Sequence, residues 1–135
     1  MRPLMEKSIM PDNDNTTKAS LRTLRCNASN IQALLRMASD GDSTFKILEK
    51  ITPIIRSHFE RVENLDINIP DENLRDHKSL LRDFKLMEAD WGKKRLSDAD
   101  YIEALRFKLF NHFTMFFEPL LDTELEEDSP LKFRL

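Results

Sequence analysis

The sequence predicts an all-α protein: an up-down-up-down four-helix bundle with flexible N- and C-terminal tails. Apolar residues recur every three or four positions along four separate stretches, which is typical of amphipathic helices. Only two of the 135 residues are Gly, fewer than a sheet joined by tight turns would need. The connections between the stretches are short, which favours antiparallel neighbours in a bundle. An irregular all-helical arrangement is the alternative.

The composition is that of one globular domain with a hydrophobic core. Hydrophobic residues make up 40% of the chain and charged residues 33%, which excludes general disorder. The net charge of -3, without a basic stripe, gives no reason to expect a nucleic-acid partner. No apolar run approaches the roughly 20 residues of a membrane span, and the start of the chain lacks the apolar segment of a secretory signal. The single cysteine, Cys26, excludes an internal disulfide, so we expect a cytoplasmic protein without a membrane partner.

The chain begins with a segment that predicts disorder. Residues 1–19 contain two Pro and the polar string DNDNTT, which are typical of a disordered arm. The bundle domain is expected to follow over residues 20–121. Its first helix is predicted from a cap at Ser20 to about Ser39, and Gly41 lies just beyond its end.

The second and third helices have recognisable start and stop signals. Asp42 or Ser43 is expected to cap the second helix, and Pro53 to kink or break it. Asp71 is expected to cap the third helix, and Gly92 lies at its predicted end.

The fourth helix is the most aromatic part of the chain. Residues 97–121 hold five of the nine Phe, and a helix of this kind needs partner helices to cover it. Ser97 is its predicted cap, and Pro119 is expected to disrupt it near its end. Residues 122–135 are predicted to be an acidic tail, whose last seven residues, SPLKFRL, could dock as a short peptide on the domain or on a partner.

All three His fall on apolar stripes, each on a different predicted helix: His58, His77 and His112. Taken singly, each is read as a buried His satisfied by a backbone carbonyl or a carboxylate. Together they suggest a shared site in the bundle core, where three imidazoles could hold iron or zinc with one position open. Three stripe positions one turn further on supply no carboxylate to offset the charge of a metal ion: Val62, Leu81 and Phe116.

The same residues resemble the hemerythrin family over roughly residues 47–121. The segments are SHFERVENL, then Pro70, then DHKSLL, then LFNHFTMFFEPLL. The family pattern is a His-Phe with a Glu four residues after the His, a His-x-x-x-His pair, and a His followed five residues later by an Asp. This resemblance implies a four-helix bundle with a two-iron centre that commonly binds oxygen, and it places His58, His77 and His112 at ligand positions.

The carboxylates of that pattern are missing from this chain. The bridging Glu position is Val62, with Glu63 one place late, and the bridging Asp position is Phe117, with Glu118 one place late. The partner position of the second His is Leu81. The polar residues nearest to the missing first-helix His are Asn27, Asn30 and Gln32. Because one residue turns a side chain by about 100° around a helix, the resemblance implies a bundle that has lost its two-iron centre.

The functional prediction is therefore a non-enzymatic regulatory or protein-interaction module without a cofactor. No catalytic constellation is present: the acidic residues of the middle helices are read as solvated faces, namely Glu60, Glu63, Asp76, Asp83 and Glu88. The partner is another protein or a second copy of the chain. Its expected binding surface contains Trp91, Phe107 and Phe110, if the first helix or the tail does not cover them. The alternative is a metal- or haem-binding sensor of oxygen or redox state that uses the three His.

Overall fold

The computed structural model describes the backbone of residues 5–39, 41 and 44–125, and side chains within these ranges from Thr16 onward. Every regular element in these residues is a helix, which confirms the all-α prediction. The helices are α1 (Met5–Ser39), α2 (Thr44–Glu63), α3 (Asp71–Gly92), α4 (Asp98–His112) and α5 (Glu118–Leu125), with a π-helical turn (Phe113–Phe117) joining α4 to α5.

The helices pack as a four-helix bundle, in which α4, the π turn and α5 together form the fourth rod. Helix α1 packs against α2 and α4, and α3 packs against the same two helices, so α1 and α3 occupy opposite corners. The largest fully buried side chains lie between these rods: Tyr101, Phe59, Phe84, Phe113 and Phe117. None of the described helices is both long enough and apolar enough to cross a membrane.

The first helix begins earlier than the sequence predicted. Helix α1 starts at Met5, so Ser20 lies inside it and most of the expected arm, residues 1–19, is helical; residues 1–4 lie outside the described part. Residues 12–19 contain neither Gly nor Pro, so nothing in them forces the helix to end. Among the side chains of α1 that the structure describes, from Thr16 onward, Leu21 is the first that is fully buried.

Pro53 was predicted to kink or break the second helix. Helix α2 runs through Pro53 without a break. Proline has no N–H to donate to the carbonyl of Glu49, four residues earlier. Both side chains are exposed, so this carbonyl lies on the outer face of the helix, where water can satisfy it. The predicted caps Asp42 and Ser43 lie outside the described residues.

The predicted caps of the last two long helices have different outcomes. Asp71 does not cap α3: it is the first helical residue, and Pro70 holds the cap position with extended backbone angles. Its carboxylate instead lies in the first turn, where it favours the helix dipole. Ser97 does cap α4, because its Oγ accepts a hydrogen bond from the backbone N–H of Asp100 at 3.1 Å.

The predicted disruption near Pro119 takes the form of the π turn. The backbone N–H of Glu118 donates to the carbonyl of Phe113, five residues earlier, just where Pro119 cannot continue the normal ladder. The wider turn shifts the buried face by one residue. Phe117 is therefore 1% exposed, whereas Phe116, which the sequence placed on the stripe, is only partly buried.

The fourth rod also extends into the predicted acidic tail, residues 122–135. Helix α5 continues to Leu125, whose side chain is buried against the core. Residues 126–135, including the SPLKFRL segment, lie outside the described residues.

Candidate functional site: the histidine core and the Trp91 groove

The structure buries all three histidines in the bundle interior. His58 on α2, His77 on α3 and His112 on α4 are 3%, 2% and 2% exposed. Each ring points inward because its neighbours on the same helix face are the apolar residues of the stripe. The three helices thus bring into one region side chains that lie far apart in the sequence.

The ring of Phe59 contacts all three histidines. Its ring stacks on His77 with centroids 4.4 Å apart and 8° between the planes, and lies 4.8 Å from His112. His77 and His112 are themselves neighbours, with centroids 5.0 Å apart. His58 lies on another side of Phe59, at 6.0 Å. The arrangement is an aromatic core with three imidazoles in it.

Two carboxylates reach into this core from its edges. Glu63 Oε2 lies 2.7 Å from Nδ1 of His77, and Asp76 Oδ2 lies 2.5 Å from Nδ1 of His112. The carboxylates keep contact with solvent, at 37% and 23% exposure, while both rings are buried. In the neutral tautomer with hydrogen on Nδ1, each imidazole donates to its carboxylate and leaves Nε2 as an acceptor.

Neither carboxylate contact was predicted, because the sequence pattern placed Glu63 and Asp76 on solvated helix faces. The Asp76–His112 pair joins α3 to α4 across 36 positions of sequence, and no local pattern predicts it. The one available signal was the position of Asp76 immediately before His77, which puts an acid at the border of an apolar stripe. Glu63 is the last residue of α2, and its carboxylate contacts His77 of α3.

His58 differs from the other two because neither of its ring nitrogens has a hydrogen-bond partner among the described residues. Its ring meets Phe113 and Phe117 nearly at right angles, with centroids 5.5 and 5.0 Å away. Burial, together with the nearby His112, His77 and Arg61, lowers the pKa of His58 from 6.5 to about 3. Burial also lowers the pKa of His112, although its hydrogen bond to Asp76 opposes this.

The residues present do not fit a two-iron centre. The positions that the hemerythrin resemblance assigns to bridging carboxylates are Val62 and Phe117, which are 2% and 1% exposed and fill the core with apolar atoms. The apolar ring of Phe59 lies against both His77 and His112. Among the described residues, no group of three or more His, Cys, Asp or Glu side chains is arranged to hold a metal ion.

The three predicted partner-binding residues differ in burial. Trp91 is partly buried, with Tyr101 and Phe45 as ring neighbours at 5.2 and 5.7 Å. Phe107 is 49% exposed on α4, and Phe110 is partly buried on the same helix.

Trp91 lines a groove of about 620 Å³ where the start of α2 meets the α3–α4 connection. We call this the Trp91 groove; its apolar side chains are Phe45, Trp91 and Leu96, and its charged ones Glu49, Lys94 and Asp98. The indole N–H of Trp91 donates to Oδ1 of Asp98 at 2.6 Å, which fixes the ring. The side chain of Phe45 is 60% exposed. It was not predicted to belong to a site, because it lies off the apolar stripe of α2.

Comparison of the chain with protein-family models, with curated proteins and with solved structures gave no match.

We expect the Asp76–His112 contact to stabilise the fold, and Asp76→Ala tests it. The substitution leaves Nδ1 of His112, which is 2% exposed, without a partner, at a cost of about 1–3 kcal/mol. Urea unfolding at pH 7, followed by circular dichroism, measures the loss. Asp83→Ala is the matched control on the same helix: its carboxylate pairs with the exposed Lys108, so it should change stability by under about 1 kcal/mol. Equal effects of the two substitutions would contradict the prediction.

Proposed function

We propose that this protein is a non-enzymatic interaction module, which binds a short apolar and basic peptide segment in the Trp91 groove. Its scaffold would be a hemerythrin-like bundle that has lost the two-iron centre. The observation that carries the proposal is Phe45, a large aromatic side chain that is 60% exposed beside the fixed ring of Trp91. Exposed aromatic side chains that line a concave surface are typical of binding sites, because burying them releases water from apolar area.

The best-supported occupant is residues 129–135 of a second copy of the chain. In an extended segment, Leu131, Phe133 and Leu135 lie on one side, and Lys132 and Arg134 on the other, because successive side chains alternate. The apolar side matches the floor of the groove. The basic side matches its rim, where the carboxylates of Glu49 and Asp98 outnumber the single cation of Lys94.

The distances favour binding between two copies over binding within one. The groove lies at the Asp98 end of the fourth rod, and Leu125 lies at the other end. At about 1.5 Å per residue the rod is about 40 Å long, whereas residues 126–135 span at most about 35 Å when fully extended. Exchange of the segment in both directions would fill both grooves and close a two-fold dimer.

Sedimentation velocity of the full chain over a wide range of concentration tests the proposal. We expect a monomer–dimer equilibrium that shifts to monomer in Phe45→Ser and in a chain without residues 129–135. Phe107→Ser is the matched control, because Phe107 is a similarly exposed aromatic residue outside the groove. A synthetic peptide of residues 129–135 should change the fluorescence of Trp91, the only Trp, in the shortened chain. A full chain that stays monomeric at every concentration, or a dimer that neither change weakens, would refute the proposal.

The second candidate is a metal- or haem-binding sensor of oxygen or redox state. It is supported by the contacts of His77 and His112, whose Nδ1 atoms both face carboxylates, as those of metal-bound imidazoles commonly do. Elemental analysis and a visible absorption spectrum of protein purified without a tag distinguish the two candidates. Stoichiometric iron or zinc that disappears in His77→Ala and in His58→Ala would favour the sensor.

A further inference from the structure

A second concave site lies between α1 and α2 and shares no residue with the Trp91 groove. It is a cleft of about 380 Å³, which we call the His58 cleft because His58 lies on its inner wall. Ile31 and Leu34 of α1 and Ile54 of α2 form its apolar sides. The volume lies at the lower end of the range for small-molecule sites, roughly 300–1,000 Å³.

His58 supplies an unused polar group at this wall. The side chain is 3% exposed, and neither Nδ1 nor Nε2 has a hydrogen-bond partner among the described residues. Buried polar atoms in folded proteins are nearly always hydrogen-bonded, and an exception calls for an explanation. A ligand that accepts a hydrogen bond from the neutral ring would provide one.

Arg61 determines the charge of the ligand. Among the described residues that line the cleft, Arg61 is the only charged one, and none is acidic. Arg61 follows His58 by three positions on α2, so the two side chains lie on one face about one turn apart. The ring nitrogens of His58 are enclosed in this structure, so one carboxylate held by the guanidinium would bond to the imidazole after a small rotation of the ring.

We propose that the His58 cleft binds a small monocarboxylate with an apolar body, whose carboxylate is held by Arg61 and His58. The apolar body lies against Ile31, Leu34 and Ile54. The site also accounts for a conflict in the sequence of α1, where the poor helix formers Asn27 and Asn30 stand in the middle of a helix. Both line the cleft, so their amides can bond to the ligand, and breaking a local rule in this way is common at binding sites.

Calorimetric titration of the full chain with octanoate tests this proposal. We expect one octanoate per chain, and no comparable binding of octan-1-ol or octylamine, which keep the apolar body but change the charge. Arg61→Gln should weaken the affinity by about tenfold or more, because it removes a charge-assisted contact. The imidazole ¹⁵N shifts of His58 should also change as octanoate binds, a signal that non-specific adsorption elsewhere would not produce.

Two further variants separate the cleft from its surroundings. Leu34→Trp fills the cleft from a partly exposed position and should abolish binding without unfolding the bundle. Arg56→Gln removes an exposed cation of the same helix that does not line the cleft, and should leave the affinity unchanged. Octan-1-ol that binds as tightly as octanoate, octanoate binding that survives in both Arg61→Gln and Leu34→Trp, or no binding at all would overturn the proposal.

Discussion

Phe59→Ala is expected to be the most destabilising single substitution in the core, at a cost of about 3–5 kcal/mol. Phe59 is fully buried, and its ring contacts the imidazoles of all three histidines. Truncation removes the buried apolar area and leaves a cavity that the rigid rods cannot close. It also removes the stacking partner of His77, whose ring lies parallel to that of Phe59 at 4.4 Å.

Urea unfolding followed by circular dichroism measures this loss directly. Phe45→Ala is the matched control, because it removes the same side chain from a position that is 60% exposed. The control should lose no more than about 1 kcal/mol. A loss below about 1 kcal/mol for Phe59→Ala would mean that the core collapses around the gap, contrary to the packing described.

The second large effect is the pH dependence that His58 imposes on stability. Burial above all, with smaller contributions from nearby charges, lowers the pKa of His58 from 6.5 to about 3 in the folded chain. Between these values the unfolded chain binds a proton that the folded chain does not, so the free energy of unfolding rises with pH. The contribution is present above pH 6.5 and is lost as the pH falls toward 3. Between pH 7 and pH 5 this loss amounts to about 2 kcal/mol.

His58→Leu isolates this contribution from that of the other titrating groups. The groups that act on the charge of His58 are His112, His77 and Arg61, and all three remain in the variant. From pH 7 to pH 5 the natural chain should therefore lose about 2 kcal/mol of unfolding free energy that His58→Leu does not lose.

The control is Thr52→Val, which changes a buried residue of the same helix that does not titrate. Thr52 is 2% exposed and bonds to Tyr101, so its loss should be about the same at both pH values. A difference between His58→Leu and the natural chain that does not vary with pH would show that His58 titrates normally in the folded state.

Much of the candidate site was predictable one helix at a time. The period of the apolar residues placed His58, His77 and His112 on the inner faces of their helices, and all three are buried. The spacing of apolar residues could not show that Glu63 and Asp76 approach the imidazoles of His77 and His112, because these contacts depend on how neighbouring helices are aligned along their axes. Nor could it show that Phe59, adjacent to His58 in sequence, would contact all three imidazoles.

The fourth rod shows a second limit of sequence reasoning. The aromatic stripe of α4 was extended at a constant helical period, which placed Phe116 in the core. Pro119 has no N–H for the ladder, the helix widens into a π turn before it, and Phe117 takes the buried position instead. The turn before this missing donor thus buries Phe117 in place of Phe116, whereas Leu120, further along the predicted stripe, is buried as expected.

The sequence by itself determined that the chain forms a helical bundle, where most of its helices end and which histidines point inward. These properties follow from hydrophobic period, from capping and from the scarcity of Gly, all of which act within one helix. Tertiary structure alone decided the His–carboxylate pairs, the Trp91 groove and the unpartnered nitrogens of His58. Each of these depends on contacts between different helices, and such contacts are set by the packing of whole rods.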